Sequence, residues 1–383
     1  MRDLAVLSAD PAEVLGALRL ALSGDGPAIL PLAPGASAEG VPGQVPKRIA
    51  VVVQTSGSSG RPKRVALTAN ALLASAGATE ATLGGPGHWV LALPVHYIAG
   101  LQVLVRAIAS GADPILLQPG RFDTSAVADA VLAVPRAERV YTALVPAQLG
   151  DLLASPERRV REALRRLDAV LVGGQRLPDQ LREAALDHGV RVIRTYGSTE
   201  TSGGCVYDGQ PVGPAQVRIT EGEVRIAGPM LAEEYLGDPE RTEAAFVYED
   251  GLRWYRTGDA GELREGVLRV TGRLDDVLVS GGEKVSVGRV EAVVRELPGL
   301  ADAVVVPAPH ARWGEAPVVV LPTVADPGLL DTIREAVGAA LGPAARPDRI
   351  ETVSPLPLLP SGKPDRVALA ARVAERPDSR PAG

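Results

Sequence analysis

Chemistry enters this chain in a nine-residue run, TSGSSGRPK, Thr55 to Lys63, which sets three serines, a threonine, two glycines and a lysine behind an apolar stretch. Small residues let backbone N–H groups close on an anion, hydroxyls add donors, and a lysine adds charge. Thr55, Ser56, Gly57, Ser58, Ser59, Gly60 and Lys63 together therefore suit a phosphate group. A nucleotide P-loop needs Ser or Thr after its lysine at a helix start; here Pro62 precedes Lys63 and the strand-like RVALT follows. The run is expected to join two strands. Taken alone it fits a plain turn as well.

Two more segments end apolar runs: LVGG, closing at Gly174, and TYGSTE, Thr195 to Glu200. Open α/β sheets bind ligands at the carboxyl edge of their strands. There Gly173 and Gly174 would admit a flat base close to the backbone and Tyr196 could stack on it. Thr199 and Glu200 supply a hydroxyl and a carboxylate suited to phosphate and Mg²⁺. An ordinary half-buried tyrosine is the competing reading of Tyr196. RTGD, Arg256 to Asp259, puts an acid in a glycine turn, where it either takes both hydroxyls of a ribose or simply makes the turn. Later loops carry Arg273, Asp275 and Asp276 in GRLDD, Lys284 beside Gly281 and Gly282 in GGEKV, and Lys363 in PSGKPDR. A solvated turn lysine is the default for Lys363. His96, in LPVHYIAG, either gates a pocket or is a satisfied structural histidine.

Lysine usage sharpens these choices. Four of the 40 basic residues are lysines, Lys47, Lys63, Lys284 and Lys363, and the rest are arginine. The two side chains are not interchangeable at a phosphate or a reacting centre, and three of the four lysines stand in glycine-containing loops.

Short apolar runs, IAVVV from Ile49, VLALP from Val90, PILLQP from Pro114, YTALVP from Tyr141, AVLVGG from Ala169 and VRVIRTYG from Val190, must position these residues. Helical stretches over 69–78, 124–134, 158–166 and 178–188 separate them, which implies parallel crossover units with both sheet faces covered. From about Gln210 the pattern turns to short strands and turns, an antiparallel β unit. After GRLDD a strand, a glycine pair, a helix over 287–297 and two more strands make a compact α+β unit. The expected fold is therefore α/β, with a large N-terminal domain over 1–272 and a small C-terminal domain over 273–371. The polar, proline-containing stretch 372–383 reads as a flexible tail.

Over 383 residues, 46% hydrophobic and 22% charged content excludes disorder and fits two or three folding units. A net charge of −6 leaves no basic excess for holding nucleic acid through phosphate contacts. Acids and arginine are spread through the first two dozen residues, unlike a secretory signal, and no run approaches a membrane span. The single cysteine, Cys205, precludes an intrachain disulfide or a multi-cysteine metal site and fits a reducing cytoplasm. It reads as a small buried thiol.

TSGSSGRPK, YGSTE, YRTGD, GRLDD with GGEKV, and PSGKPDR stand in the order of the acyl-adenylate-forming superfamily, which the chain resembles from about Thr55 to Arg366; the likeness is to its acyl-CoA synthetase branch. That resemblance implies attack of a carboxylate on the α-phosphate of ATP, release of pyrophosphate, and cleavage of the acyl-AMP by the thiol of coenzyme A. It implies that Thr55, Ser56, Ser58, Ser59, Gly60 and Lys63 cradle the β and γ phosphates, that Thr199 touches the α-phosphate and Glu200 holds Mg²⁺, and that Asp259 takes the ribose with Arg273 beside it. Gly173, Gly174 and Tyr196 would sandwich adenine, with Gly197 among the cofactor-binding residues. Lys363 would bridge the carboxylate and the α-phosphate, Asp275 would be the hinge of a mobile small domain, and Lys284 would face the pantetheine path in the second step.

Only about fifty residues precede the phosphate run, fewer than in most relatives. Short chains of this kind, with SGGCVYDGQPVG directly after YGSTET, resemble the actinobacterial o-succinylbenzoate:CoA ligases of menaquinone synthesis. On that likeness Ser202, Gly203 and Gly204 would leave room for an aromatic acid and His96 would approach its pocket. Another carboxylate:CoA ligase, a carrier-protein-loading enzyme and a catalytically silent nucleotide-binding protein remain as alternatives. The expected partners are a carboxylic acid, ATP and CoA, with a homodimer one option for assembly.

Overall fold

A computed structural model describes residues 1–55, 63–118, 120–358 and 364–375. The chain divides into two compact units. The first comprises 1–218, 225–257 and 263–268; the second comprises 219–224, 258–262 and the chain from Arg269 onward. The passage to the second unit thus falls at Arg269, and two short stretches before it already belong there, because the strands of the antiparallel region alternate between the units along their length.

The first unit holds a six-stranded and a seven-stranded sheet. In the six-stranded sheet the order is Glu234–Tyr235, Lys63–Thr68, Ile49–Thr55, Ala28–Leu32, Arg2–Ser8 and Gln44–Val45. Ile49–Thr55 is buried over its first five residues, as a run of Val and Ile without polar alternation requires when both faces are covered. It pairs antiparallel with Lys63–Thr68, so that Thr55 faces Lys63. The run therefore connects two paired strands, as expected; Ser56, Gly57, Ser58, Ser59 and Gly60 themselves lie outside the described residues.

The seven-stranded sheet runs Gln210–Pro211, Gly203–Tyr207, Val192–Ser198, Ala169–Val172, Val140–Leu144, His88–Leu91 and Ile115–Leu116. From Val192–Ser198 to Ile115–Leu116 every pairing is parallel. The other edge turns antiparallel where Gly203–Tyr207 folds back. The expected helix over 69–78 continues to Leu83, started by Thr68, whose hydroxyl accepts from Ala71 N–H, and stopped by Gly84 in the left-handed conformation. The amphipathic helix Arg158–Arg166 turns Val160, Ala163 and Leu164 into the core with Val131, Leu144 and Val170.

In the second unit the strands order as Glu283–Ser286, Val277–Ser280, Gly314–Leu321 and Val304–His310, with Arg349–Thr352 pairing Gly314–Leu321. Alternation sorts the two faces. Val305 and Val319 pack with Val290 and Val294 of the helix Val287–Arg295 and with Ile333 and Val337 of Leu329–Leu341. Val304, Val306, Val318 and Val320 pack instead with Leu369 and Val373 of Arg366–Ala374. Of the stretch expected as a tail, residues 372–374 instead complete this helix, because Val373 is buried on the sheet, and residues 376–383 lie outside the described residues.

Candidate active site

In the first unit the strand Val192–Ser198 ends in a single 3₁₀ turn, Thr199–Thr201, at the carboxyl edge of the parallel strands. Thr201 holds the turn: its hydroxyl donates to the Gly203 carbonyl at 2.7 Å and accepts from Ser198 N–H at 2.8 Å. The turn buries Thr199 and Glu200. Glu200 accepts a hydrogen bond at Oε1 from the Tyr235 hydroxyl at 2.8 Å, and its backbone carbonyl accepts from Ala232 N–H. Burial pushes the Tyr235 phenol far above its ordinary range, reinforced by the Glu200 carboxylate and by Tyr255, so Tyr235 stays a protonated donor. The Lys63 ammonium lies over the Tyr235 ring, 5.8 Å from its centroid. Two of the residues singled out for phosphate chemistry, Lys63 and Glu200, are thus gathered around one tyrosine that sequence reasoning passed over.

The glycines at this edge are there for different physical reasons. A Cβ on Gly173 would stand 2.3 Å from Thr195 Oγ1, so the neighbouring strand already occupies the space a side chain would need. Gly174 is left-handed, with φ 80°, and its nearest neighbour would be Val145 Cγ1 at 3.8 Å. Of the two, Gly174 is the one with space in front of it. Gly197 would put a Cβ 2.2 Å from the Gly203 carbonyl oxygen, across the bulge that separates Tyr196 from Gly197. Tyr196 is half-buried opposite Val206.

The residues expected to admit an aromatic acid divide. Ser202 is fully buried and left-handed, and its hydroxyl donates to the Met230 carbonyl at 2.7 Å. Gly204 lines a void of about 10 Å³ with Ala74, Ser75 and Met230, no larger than one water. That void is too small for an aromatic acid, since packing against the helix Ala69–Leu83 uses the room that small residues provide. Gly203 faces another way: a Cβ there would meet Gln102 Cγ at 3.4 Å and Ile98 Cγ1 at 3.9 Å, both on the helix Ile98–Ala109.

One turn beyond Gln102 on that helix stands Arg106, 6% exposed, its guanidinium 4.9 Å from the Trp89 ring centroid. Its Nε is buried with no hydrogen-bond partner, and among the described residues no acid pairs with it. Burial lowers the pKa of Arg106, against the influence of Tyr207. The group nevertheless remains a cation, because guanidinium titrates so far above neutrality. Sequence reasoning missed this residue too; the available signal was an arginine, with Gln102 one turn before it, inside the apolar run IAGLQVLVRAIA. His96, just before the helix, is half-buried with its ring against Tyr97 and neither nitrogen hydrogen-bonded among the described residues. Burial lowers its pKa, favouring the neutral imidazole.

The second unit assembles its own group. Arg273 Nε and Nη2 grip both oxygens of Asp275 at 2.8 and 2.9 Å, while Nη1 reaches Asp259 at 3.2 Å. Gly258 N–H donates to the buried Glu223 carboxylate, which fixes the turn carrying Asp259. Lys284 is exposed on Glu283–Ser286 opposite Val279. Lys363 lies outside the described residues.

An AMP-binding enzyme domain matches residues 9–236, and the C-terminal domain of AMP-binding enzymes matches 289–363. The chain belongs to the AMP-binding enzyme family. Within this acyl-adenylate-forming family it is 39% identical to a probable 2-succinylbenzoate–CoA ligase of Mycobacterium tuberculosis over 342 residues, 88% of this chain and 87% of that protein. Wild-type E. coli MenE, solved with an m phenylether-linked analogue of OSB-AMS, matches with a TM-score of 0.72 and 26% identity, covering 98% of this chain and 89% of that one. The amide bond synthetase McbA from Marinactinospora thermotolerans matches with a TM-score of 0.75 and 28% identity, covering 97% and 80%.

The donor set of this AMP-binding enzyme also bears on the metal its chemistry implies. Among the described residues no three His, Cys, Asp or Glu side chains gather as a metal cage. Glu200 with the Thr199 hydroxyl offers a single carboxylate. That fits Mg²⁺, which keeps its waters and takes one or two carboxylates together with substrate phosphates. Among the described residues no helix of the enzyme is long and apolar enough to cross a membrane.

Proposed function

We propose that this enzyme is an ATP-dependent carboxylate:CoA ligase that converts 2-succinylbenzoate to its CoA thioester through an acyl-AMP, in menaquinone biosynthesis. A carboxylate oxygen attacks the α-phosphorus as the bond to pyrophosphate breaks. The CoA sulfur then attacks the acyl carbonyl, AMP leaves and the thiol proton goes to solvent. Lys63, with Thr55 and the hydroxyls of Ser56, Ser58 and Ser59, neutralises the β and γ phosphates, and Thr199 contacts the α-phosphate. Glu200 holds Mg²⁺, which when bound offsets phosphate charge. Gly173, Gly174, Tyr196 and Gly197 take the adenine, Asp259 and Arg273 the ribose. Lys363 carries the cation that lets two anions meet, Asp275 is the hinge, and Lys284 serves the thiol step.

Arg106 is the observation that carries the choice of acid. A buried cation without an anion is costly, and a ligand that brings a second carboxylate repays that cost where a monocarboxylic acid leaves it standing. Gly203 stands against the same helix, at Ile98 and Gln102. The reading is tested by measuring AMP and thioester formed with CoA from 2-succinylbenzoate, benzoate and a fatty acid. Thioester from 2-succinylbenzoate in strong preference is expected; benzoates or fatty acids turning over while 2-succinylbenzoate does not would overturn the assignment. Replacing CoA by a phosphopantetheinylated carrier or by an amine in the same assay separates carrier loading and amide synthesis. Carboxylate-dependent pyrophosphate exchange excludes a silent nucleotide-binding protein.

A further inference from the structure

The reaction as derived uses Lys63 and Glu200 but gives no role to the side chain between them. Tyr235 is 4% exposed and sits on the two-residue edge strand Glu234–Tyr235, paired with Val65 of the strand that begins at Lys63. Its backbone is pinned, since Tyr235 N–H donates to Thr242 Oγ1 at 3.0 Å. Its ring is packed against Phe246, with centroids 5.9 Å apart, and Arg241 lies over it at 5.9 Å. A ring held in this way cannot swing, so its hydroxyl is a fixed donor.

The position of that donor has two consequences. The 2.8 Å bond occupies Glu200 Oε1, while Oε2 takes no hydrogen bond among the described residues. One oxygen of the carboxylate is therefore tethered and the other is left for a cation. The ring face, negative in its quadrupole, meanwhile attracts the Lys63 ammonium. Glu200 and Lys63 thus share Tyr235 as a contact without forming an ion pair with each other among the described residues, and each stays available to its ligand.

We propose that Tyr235 is a positioning residue: it holds Glu200 and Lys63 apart and aimed, so that Mg²⁺ and the phosphates of ATP are met by a free carboxylate oxygen and a free ammonium. The inference rests on the reading of Glu200 as the metal ligand. Tyr235→Phe keeps the ring and removes only the donor. It should raise the Mg²⁺ concentration giving half-maximal adenylation about tenfold, the size of one hydrogen bond to a charged group. Turnover at saturating Mg²⁺ should stay within about threefold. Affinity for Mn²⁺·ATP, read by electron paramagnetic resonance without turnover, should fall by a similar factor.

Glu200→Gln is run alongside. If Tyr235 acts through Glu200, the Tyr235→Phe and Glu200→Gln double variant has the metal requirement of Glu200→Gln alone; effects that multiply would overturn the proposal. An unchanged Mg²⁺ requirement in Tyr235→Phe would overturn it as well. An unchanged requirement in Glu200→Gln would instead remove the reading of Glu200 on which it stands. Should Tyr235→Phe not fold, an amine in place of the hydroxyl, as 4-aminophenylalanine at position 235, keeps ring and donor. It should retain the normal requirement, and a tenfold rise there counts against the proposal.

Discussion

Arg106→Met separates a cation kept for a ligand from one kept for the fold, because the two readings predict opposite signs. Methionine fills similar space without charge. Arg106 is buried with Nε unpartnered and no acid beside it among the described residues. Replacing buried charge by apolar volume is worth up to about 1–4 kcal/mol. Loss of the stack on Trp89 returns about 0.5–2 kcal/mol. The central values leave a more stable apo enzyme by about 1 kcal/mol, or about 2–4 °C in Tm for a unit of this size. Binding moves the other way. Removing the cation that answers a buried carboxylate costs about 2–5 kcal/mol, about 30-fold to 5,000-fold in kcat/KM for 2-succinylbenzoate. The assay is differential scanning fluorimetry of the apo enzyme together with AMP release across 2-succinylbenzoate and an analogue lacking one carboxylate. The variant should lose its deficit on the analogue and leave the KM for ATP unchanged. A variant with lower Tm and an unaltered preference between the two acids would refute the argument, since Arg106 would then be a structural residue.

Three further outcomes follow from the same reasoning. Lys363→Ala should abolish ATP-dependent adenylation while still converting presynthesised acyl-AMP and CoA to thioester; equal loss of both half-reactions, followed separately by pyrophosphate exchange and thioester absorbance, would contradict the role given to it. Burial pushes the Cys205 thiol up to about 12, so it should resist iodoacetamide at pH 8 in the native enzyme and react only when the chain is unfolded by denaturant; rapid native labelling would show an open site. His96 is held neutral by burial, with its folded pKa below the ordinary value near 6.5. Its contribution is complete above about 6.5, where neither state is protonated. It is lost as pH falls from there through the lowered folded value, because the unfolded chain takes the proton first. His96→Phe should therefore flatten the fall of Tm below about pH 6.5, and a parallel fall in both proteins would exclude it.

What could be read from the residues alone was whatever depends on neighbours in the chain. Short apolar runs announced the buried strands at Ile49, Tyr141 and Ala169, since a strand covered on both faces needs no polar alternation. Pro62 and the strand-like run after Lys63 ruled out a P-loop helix, and the order of the five motifs led to the AMP-binding enzyme family. Tertiary structure decided what depends on residues far apart. Tyr235 meets Glu200 across 35 positions only because a two-residue edge strand pairs with Val65. Gly173 is glycine because Thr195 of the next strand fills the space, which no local pattern encodes. Ser202, small enough to suggest a cavity, was spent on the Met230 carbonyl. Arg106 drew no notice in the sequence; it became a functional candidate only when burial left its charge without an answer. Burial and pairing are properties of the folded ensemble of neighbours, so a chain written in one dimension can place its reactive groups in order but cannot say which of them are left unpaired.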